Sequence, residues 1–162
     1  MPVLAEIAEN DVITLDQVDR DILEILQNDG RSSASHVAQE ISMSVPAVTD
    51  RIKKLQESGV IMGFTTMLDH RKLGLDVSAF ITVISESSSH YNDVIREINK
   101  NAEIIQCFTT TGNGSHVLLA LVENTHSLEK LLRKIQSWPG VMRTETQIIL
   151  SSYKGINAVL IP

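Results

Sequence analysis

Between positions 44 and 54 the chain carries Ser44, Thr49, Asp50, Arg51, Lys53 and Lys54, with no histidine or cysteine among them. Hydroxyls, a carboxylate and cations at this density suit gripping and reading a polyanion rather than breaking bonds. Lys53 and Lys54 offer charge-assisted donors to phosphate, and Arg51 can do so or pair with an acid of the first helix. Ser44 at a helix start leaves free N–H groups beside it that suit a phosphate. Pro46, Ala47 and Thr49 offer apolar contacts to thymine methyls, Thr49 adds a hydroxyl, and Asp50 can accept from a cytosine amino group while repelling phosphate. A second set is Thr110-Thr111-Gly112-Asn113-Gly114-Ser115. Its glycines leave backbone N–H groups unobstructed, enough to hold a carboxylate; the same residues also read as a plain hairpin turn. His36, His70, His90, His116 and His126 show no HxxxH or His-plus-acid spacing, so no metal set is expected. His36 and His116 are the candidates for burial. Cys107 is the single cysteine, which excludes an internal disulfide and reads as an inert, buried thiol. Ser85, Ser87, Ser88 and Ser89 read as a strand end and helix cap. No catalytic residue is expected.

The elements that must position the first set follow from spacing. Residues 34–41 form a helix with Val37, Ala38 and Ile41 on one side, and Ser42-Met43-Ser44 is a tight turn. The next helix is capped by Ser44, with Pro46 in its first turn, where a missing N–H costs nothing. Val48, Ile52 and Leu55 form its buried stripe, which turns Pro46, Ala47, Thr49, Asp50 and Lys53 to the other side. Gly59 stops it, and Val60-Ile61 open an extended run. An earlier helix starts at Asp16, with Asp19 in the capping-box place and Leu15 as a staple; Val18, Ile22, Ile25 and Leu26 face inward and Gly30 ends it. Two helices fixed steeply by a short turn make a helix-turn-helix, the second helix of which enters a DNA major groove. The unit spans 15–60, after a tail at 1–14.

Charge qualifies that reading. Residues 1–70 hold five Lys/Arg against twelve Asp/Glu, a net of −7; residues 71–162 hold nine against eight, a net of +1. Most of the acids lie in 6–29, whereas 44–63 carries a net of +1. The local field favours phosphate although the half is acidic, so non-specific affinity is expected to be weak and more than one reader per complex is needed. Apolar runs are too short for a membrane span, and the N-terminus lacks a basic leader, which predicts a cytoplasmic protein.

After a strand and linker at 61–76 the period changes. Val77–Ile84 is β-rich, Tyr91–Lys100 is helical, and Ile104–Thr111 and His116–Val122 are strands joined through Gly112-Asn113-Gly114. A helix covers Leu128–Ile135, and Val141–Ser151 is a last strand after Trp138-Pro139-Gly140. The order βαββαβ over 77–153 is the ferredoxin-like unit. Its helices cover one sheet face only, so the other must meet a partner sheet or solvent, and this half is a dimerisation device. The apolar stretch Ile156–Ile161, within a tail at 154–162, is expected to dock into a dimer interface.

Over residues 15–153 the chain resembles the Lrp/AsnC family of feast/famine regulators. The matching residues are Leu15-Asp16-x-x-Asp19-x-x-Ile22-Leu23; Arg31; Ser44, Val48, Arg51-Ile52 and Leu55; Gly59-Val60-Ile61; Leu73-Gly74; Thr110-Thr111-Gly112; and Pro139-Gly140-Val141 before Thr144-Glu145-Thr146. The resemblance implies an α+β chain, a winged helix-turn-helix followed by a ferredoxin-like amino-acid-sensing domain. It implies a regulator bound to double-stranded DNA, as a homodimer assembling further, to octamers, with a small amino acid held between dimers and no other cofactor. It also places the effector against Thr110–Ser115, with Thr144 and Thr146 supplying further hydroxyls. Two departures stand out. Ser42 occupies a turn position where the family often has glycine, which predicts backbone strain. Ser115 stands where an aspartate is commoner, which looks like the asparagine-sensing branch. Sirohaem decarboxylases share this fold, but they need cationic or histidine groups around a large cavity, and this half is nearly neutral. A DNA-compacting protein is the other alternative.

Overall fold

The computed structural model describes residues 12–112, 114–154 and 159–161. Asn113, most of the N-terminal tail, and residues 155–158 and 162 lie outside the described residues. The chain divides into two compact units, Met1–Met67 with Ile156–Pro162, and Leu68–Gly155.

The first unit holds α1 (Gln17–Asn28), α2 (Ala34–Glu40) and α3 (Val45–Glu57). Asp16 caps α1: its carboxylate accepts the Asp19 N–H at 2.9 Å, and the Asp19 carboxylate accepts the Asp16 N–H at 3.2 Å, a reciprocal box that satisfies two otherwise orphaned donors. The α2–α3 turn is closed by the Met43 N–H on the Ala38 carbonyl at 2.9 Å. It forces Ser42 to φ 55, and Ser42 is the one non-glycine residue with positive φ among the described residues. Ile22, Leu23, Leu26, Val37, Ala38, Val48 and Leu55 form the core. Each large aliphatic side chain there contributes about 1.5–3 kcal/mol by leaving water. The strand expected after α3 does not form: the Ile61 N–H returns to the Leu55 carbonyl, and residues 62–69 have no regular structure. A strand exists only with a ladder partner, and this segment finds none among the described residues.

The second unit contains β1 (Val77–Ser85), α4 (Tyr91–Asn99), β2 (Ile104–Thr109), β3 (His116–Val122), α5 (Thr125–Gln136) and β4 (Val141–Ile148). The sheet runs β2-β3-β1-β4, every pair antiparallel, as the βαββαβ order requires. Alternation sets its faces. Ala79, Ile81 and Val83 of β1, with His116, Leu118, Ala120 and Val122 of β3, are buried with Val94 and Ile98 of α4 and Leu128, Leu131 and Ile135 of α5. Phe80, opposite Leu119, and Phe108, opposite Val117, lie on the alternate face, where the two phenylalanines are exposed. Helices therefore cover one face and leave the other open, apolar at Phe80, Phe108, Val117 and Leu119 and polar along β4 at Arg143, Glu145 and Gln147. Gly140, at φ 76, opens the turn into β4, and a Cβ there would fall 2.4 Å from that of His90.

Candidate DNA-reading face and effector loop

The α3 stripe of Val48, Ile52 and Leu55 is turned into the first core, so the opposite side of the helix is left to solvent. Pro46, Thr49, Asp50, Lys53 and Lys54 are exposed and Ala47 is half-buried. Ser44 accepts the Ala47 N–H at 3.4 Å and Pro46 has no N–H, so Val45 keeps the outward-pointing donor of the first turn. The Thr49 hydroxyl donates back to the Val45 carbonyl at 2.9 Å, which leaves its methyl and lone pairs outward. Lys54 pairs with Asp50 at 2.8 Å and Lys53 with Glu57 at 3.5 Å. Hydrogen bonding from Lys54 and its charge hold the Asp50 carboxyl below its usual range, so Asp50 is charged and partly neutralised in place.

Arg51 differs from its neighbours. Its guanidinium donates to Asp16 and, at 3.0 Å, to Asp19, and the side chain is half-buried. Those two carboxylates raise its pKa, and hydrogen bonds from the Asp19 N–H and from Arg51 lower that of Asp16. The acids that cap α1 thus also pin α3 against it. Of the residues expected at DNA, Arg51 is the one committed to the scaffold. Val45, off the apolar stripe, is 41% exposed at the helix start beside these residues.

The second site is the hairpin between β2 and β3. Thr110, Thr111 and Gly112 are exposed, with Gly112 at φ 107. The root of the loop is fastened to β1. The Ser115 N–H donates to the Val83 carbonyl at 2.9 Å, and a Cβ on Gly114 would lie 2.2 Å from Thr82 Cγ2. Glycine is required there by contact.

Ser115 is buried, and its hydroxyl is spent inside the fold. It donates to the Val83 carbonyl at 3.1 Å and lies 2.9 Å from the Ser85 hydroxyl and 3.0 Å from His116 Nδ1. A hydroxyl has one proton; with it on Val83, Ser85 and His116 Nδ1 are the donors. The His116 ring, fully buried and edge-on to Tyr91 at 4.9 Å, then keeps an unprotonated Nε2 without a partner. Burial lowers its pKa. Of the residues expected at the effector, Ser115 is the one whose hydroxyl anchors the loop to β1. Thr144 and Thr146 stand opposite Val83 and Ile81, on the helix-covered face, and Thr144 accepts from Gln136 Nε2 at 3.0 Å. β1 separates their strand from β3, a gap of about 10 Å, so the fold does not gather them at the loop tip. His36 is exposed, against expectation. Cys107 is half-buried, and burial raises its thiol pKa, in keeping with an inert thiol. Among the described residues, no group of three or more His, Cys, Asp or Glu is placed to hold a metal, and no helix is long and apolar enough to cross a membrane.

Comparison with known proteins matches both units. Residues 15–62 match the family described as winged helix-turn-helix DNA-binding, and residues 77–159 the Lrp/AsnC ligand binding domain. The chain is 34% identical over 142 residues to the HTH-type transcriptional regulator FL11 of Pyrococcus horikoshii, covering 88% of this chain and 93% of that one. It is 32% identical over 139 residues to the regulatory protein AsnC of Haemophilus influenzae, covering 85% and 93%. Among solved structures it resembles E. coli AsnC with a TM-score of 0.84 at 26% identity, over 90% of this chain and 99% of that one. It also resembles the feast or famine regulatory protein of M. tuberculosis complexed with L-methionine, with a TM-score of 0.84 at 30% identity over the same shares.

Proposed function

From the premise that the chain belongs to the Lrp/AsnC family and is a DNA-binding transcriptional regulator of that type, we propose how its residues divide the work. Pro46, Ala47, Thr49 and Asp50 on the outer side of α3 meet base edges, with Val45 beside them. Lys53, Lys54 and the free N–H at the helix start meet phosphate. Arg51 holds α3 at its angle through Asp16 and Asp19. The effector is a small amino acid bound at the exposed tip of Thr110, Thr111 and Gly112, where backbone N–H groups hold its carboxylate. Asn113 belongs to the same loop. Asparagine follows from the resemblance, and methionine from the ligand that the M. tuberculosis relative holds. Two chains pair through the bare sheet face, and dimers assemble further around the effector.

The observation that carries the effector reading is the asymmetry of the hairpin: its root is bonded into β1 while its tip stands in solvent. A bound effector then biases one assembly over another, which is the thermodynamic content of allostery here. The regulator names of the relatives favour neither the tetrapyrrole enzyme nor the compacting protein.

The test is a fluorescence titration of labelled DNA from upstream of this chain's own gene, beside a scrambled duplex, at physiological salt, with and without mixed amino acids. Preference for the upstream DNA that shifts with the mixture is expected. Preference without a shift removes the effector reading. Gly112→Asp, which sets a carboxylate beside the bound one, should yield folded protein that no longer responds; a normal response puts the site elsewhere.

A further inference from the structure

The first unit is built from both ends of the described chain. Leu15, Leu23, Leu26, Val60, Ile61 and Phe64 line an apolar cleft of about 390 Å³ on the α1 side, and Val159–Ile161 form its remaining wall. Gln27, half-buried on α1, grips Val159 by its backbone from both directions. The Val159 N–H donates to Gln27 Oε1 at 2.6 Å, and Gln27 Nε2 donates to the Val159 carbonyl at 3.2 Å. Two residues on, Ile161 is packed against the buried core of α1, α2 and α3. Leu160 between them is 93% exposed. This is how a groove takes an extended peptide: a side-chain amide reads the backbone and an alternate side chain fills a pocket.

We infer that the α1 side of the reader is a docking surface for the chain's own C-terminal segment, which walls the cleft as it docks, and that the docked segment is a second tether on the DNA reader. The chain leaves the reader after Met67 and is back on it by Val159, so the effector-binding unit is joined to it at both of its ends. A body held by two spans has less freedom to reorient than one held by a single linker. The groove lies on α1 and the segment after α3, not on the outer residues of α3, so docking leaves the reading face free. The consequence is for geometry: the second tether narrows the range of half-site spacings a pair of readers can span. This rests on the DNA-reading role and not on the effector assignment.

The test uses the full chain and one ending at Lys154. In the full chain the Val159 amide should be protected from hydrogen exchange, and Gln27→Ala should remove that protection while the amides of α1 keep theirs. A labelled Gly155–Pro162 peptide should bind the shortened chain about tenfold more tightly than the full one. That factor follows because a tethered tail at an effective concentration of order 1 mM competes with a peptide of about 0.1 mM affinity. A peptide carrying Ile161→Asp should not bind. On paired half-sites, the shortened chain should lose discrimination between spacings that the full chain distinguishes. An unprotected Val159 amide, or equal peptide binding to both chains, overturns the docking. Protection that disappears on dilution overturns it too, by assigning the tail to a second copy's groove. Unchanged spacing discrimination with the tail removed overturns the tether. If the shortened chain does not fold, the Gln27→Ala exchange result and the spacing discrimination of that full-length variant decide.

Discussion

Adding one methyl at Gly114 should cost stability through a single identified contact. An alanine Cβ would meet Thr82 Cγ2 at 2.2 Å, with Val83 O at 3.5 Å and Thr82 Cβ at 3.7 Å. Carbon atoms rest at about 3.5–4.0 Å, so only the first contact is impossible. Gly114 is not at positive φ, so the backbone itself accepts alanine. Two escapes exist. Thr82 can leave its rotamer, which is stiff because the residue is β-branched, at about 0.5–1.5 kcal/mol. Otherwise the loop root withdraws and weakens the Ser115 bonds to Val83, each about 1 kcal/mol. Overpacking of this kind costs about 1–3 kcal/mol, and that is the expected loss for Gly114→Ala. In a Thr82→Ser background the offending methyl is gone, and the remaining contacts are ordinary. The same alanine should then be neutral, or favourable by the few tenths that a less flexible unfolded chain contributes. The assay is urea denaturation followed by Trp138, the only tryptophan, buried in the core of this unit. The four proteins form a double-mutant cycle with an expected coupling of about 1–3 kcal/mol. An equal loss in both backgrounds would refute the steric account and place the cost in the backbone of the loop.

Ser42→Gly should stabilise the reader by up to about 1 kcal/mol, because it relieves a left-handed conformation that costs an L-residue roughly 1–2 kcal/mol and concedes part of that in unfolded-state entropy; a lower thermal midpoint by circular dichroism would contradict it. His116 is held neutral by burial, its pKa below the ordinary 6.5. The unfolded chain takes up that proton first, so the contribution is complete above pH 6.5 and drains as pH falls toward the folded value, by up to about 1.4 kcal/mol per unit. The urea midpoint read by Trp138 should decline from pH 7 to 5.5, and His116→Phe should flatten that decline; identical slopes would put the titration elsewhere. Arg51→Met should lower the melting temperature of the reader by freeing α3 from Asp16 and Asp19, whereas Thr49→Val should leave it within about 0.5 kcal/mol and change which operator sequences bind. The reverse pattern would exchange their roles.

Local rules with one dominant cause were legible in the sequence. The Asp16–Asp19 box, Ser44 before Pro46, and the 2-residue and 3.6-residue periods all follow from backbone hydrogen bonding and alternation, and every expected helix, with the four strands of the second unit, formed within a few residues of its expected place. Strain at Ser42 was legible as well, since a turn that commonly takes glycine leaves serine little choice of φ. What escaped depends on contacts across the chain. Arg51 was open between phosphate and an acid because charge alone suits both, and only the proximity of α1 decides. Ser115 is placed at the effector by resemblance alone, and its hydrogen bonds to Ser85 and His116, 30 positions back and one on, are not legible in the spacing. The strand expected at Val60-Ile61 needed a partner that none of the described residues provides. Gly114 and Gly112 read alike in sequence, yet one is demanded by a neighbour and the other by φ.

The closure of the reader by residues 159–161 also sets an order of events during synthesis. A ribosome delivers α1, α2 and α3 first, then the whole of the effector-binding unit, and Val159–Ile161 afterwards. While the second unit is emerging, Leu15, Leu23, Leu26 and Phe64 line a groove still missing one wall. Nascent chains with exposed apolar surface are the ones that chaperones engage and that associate wrongly. Residues made after the whole second unit therefore complete a domain whose helices were made before it, and the reader reaches its finished form only once Val159–Ile161 have emerged.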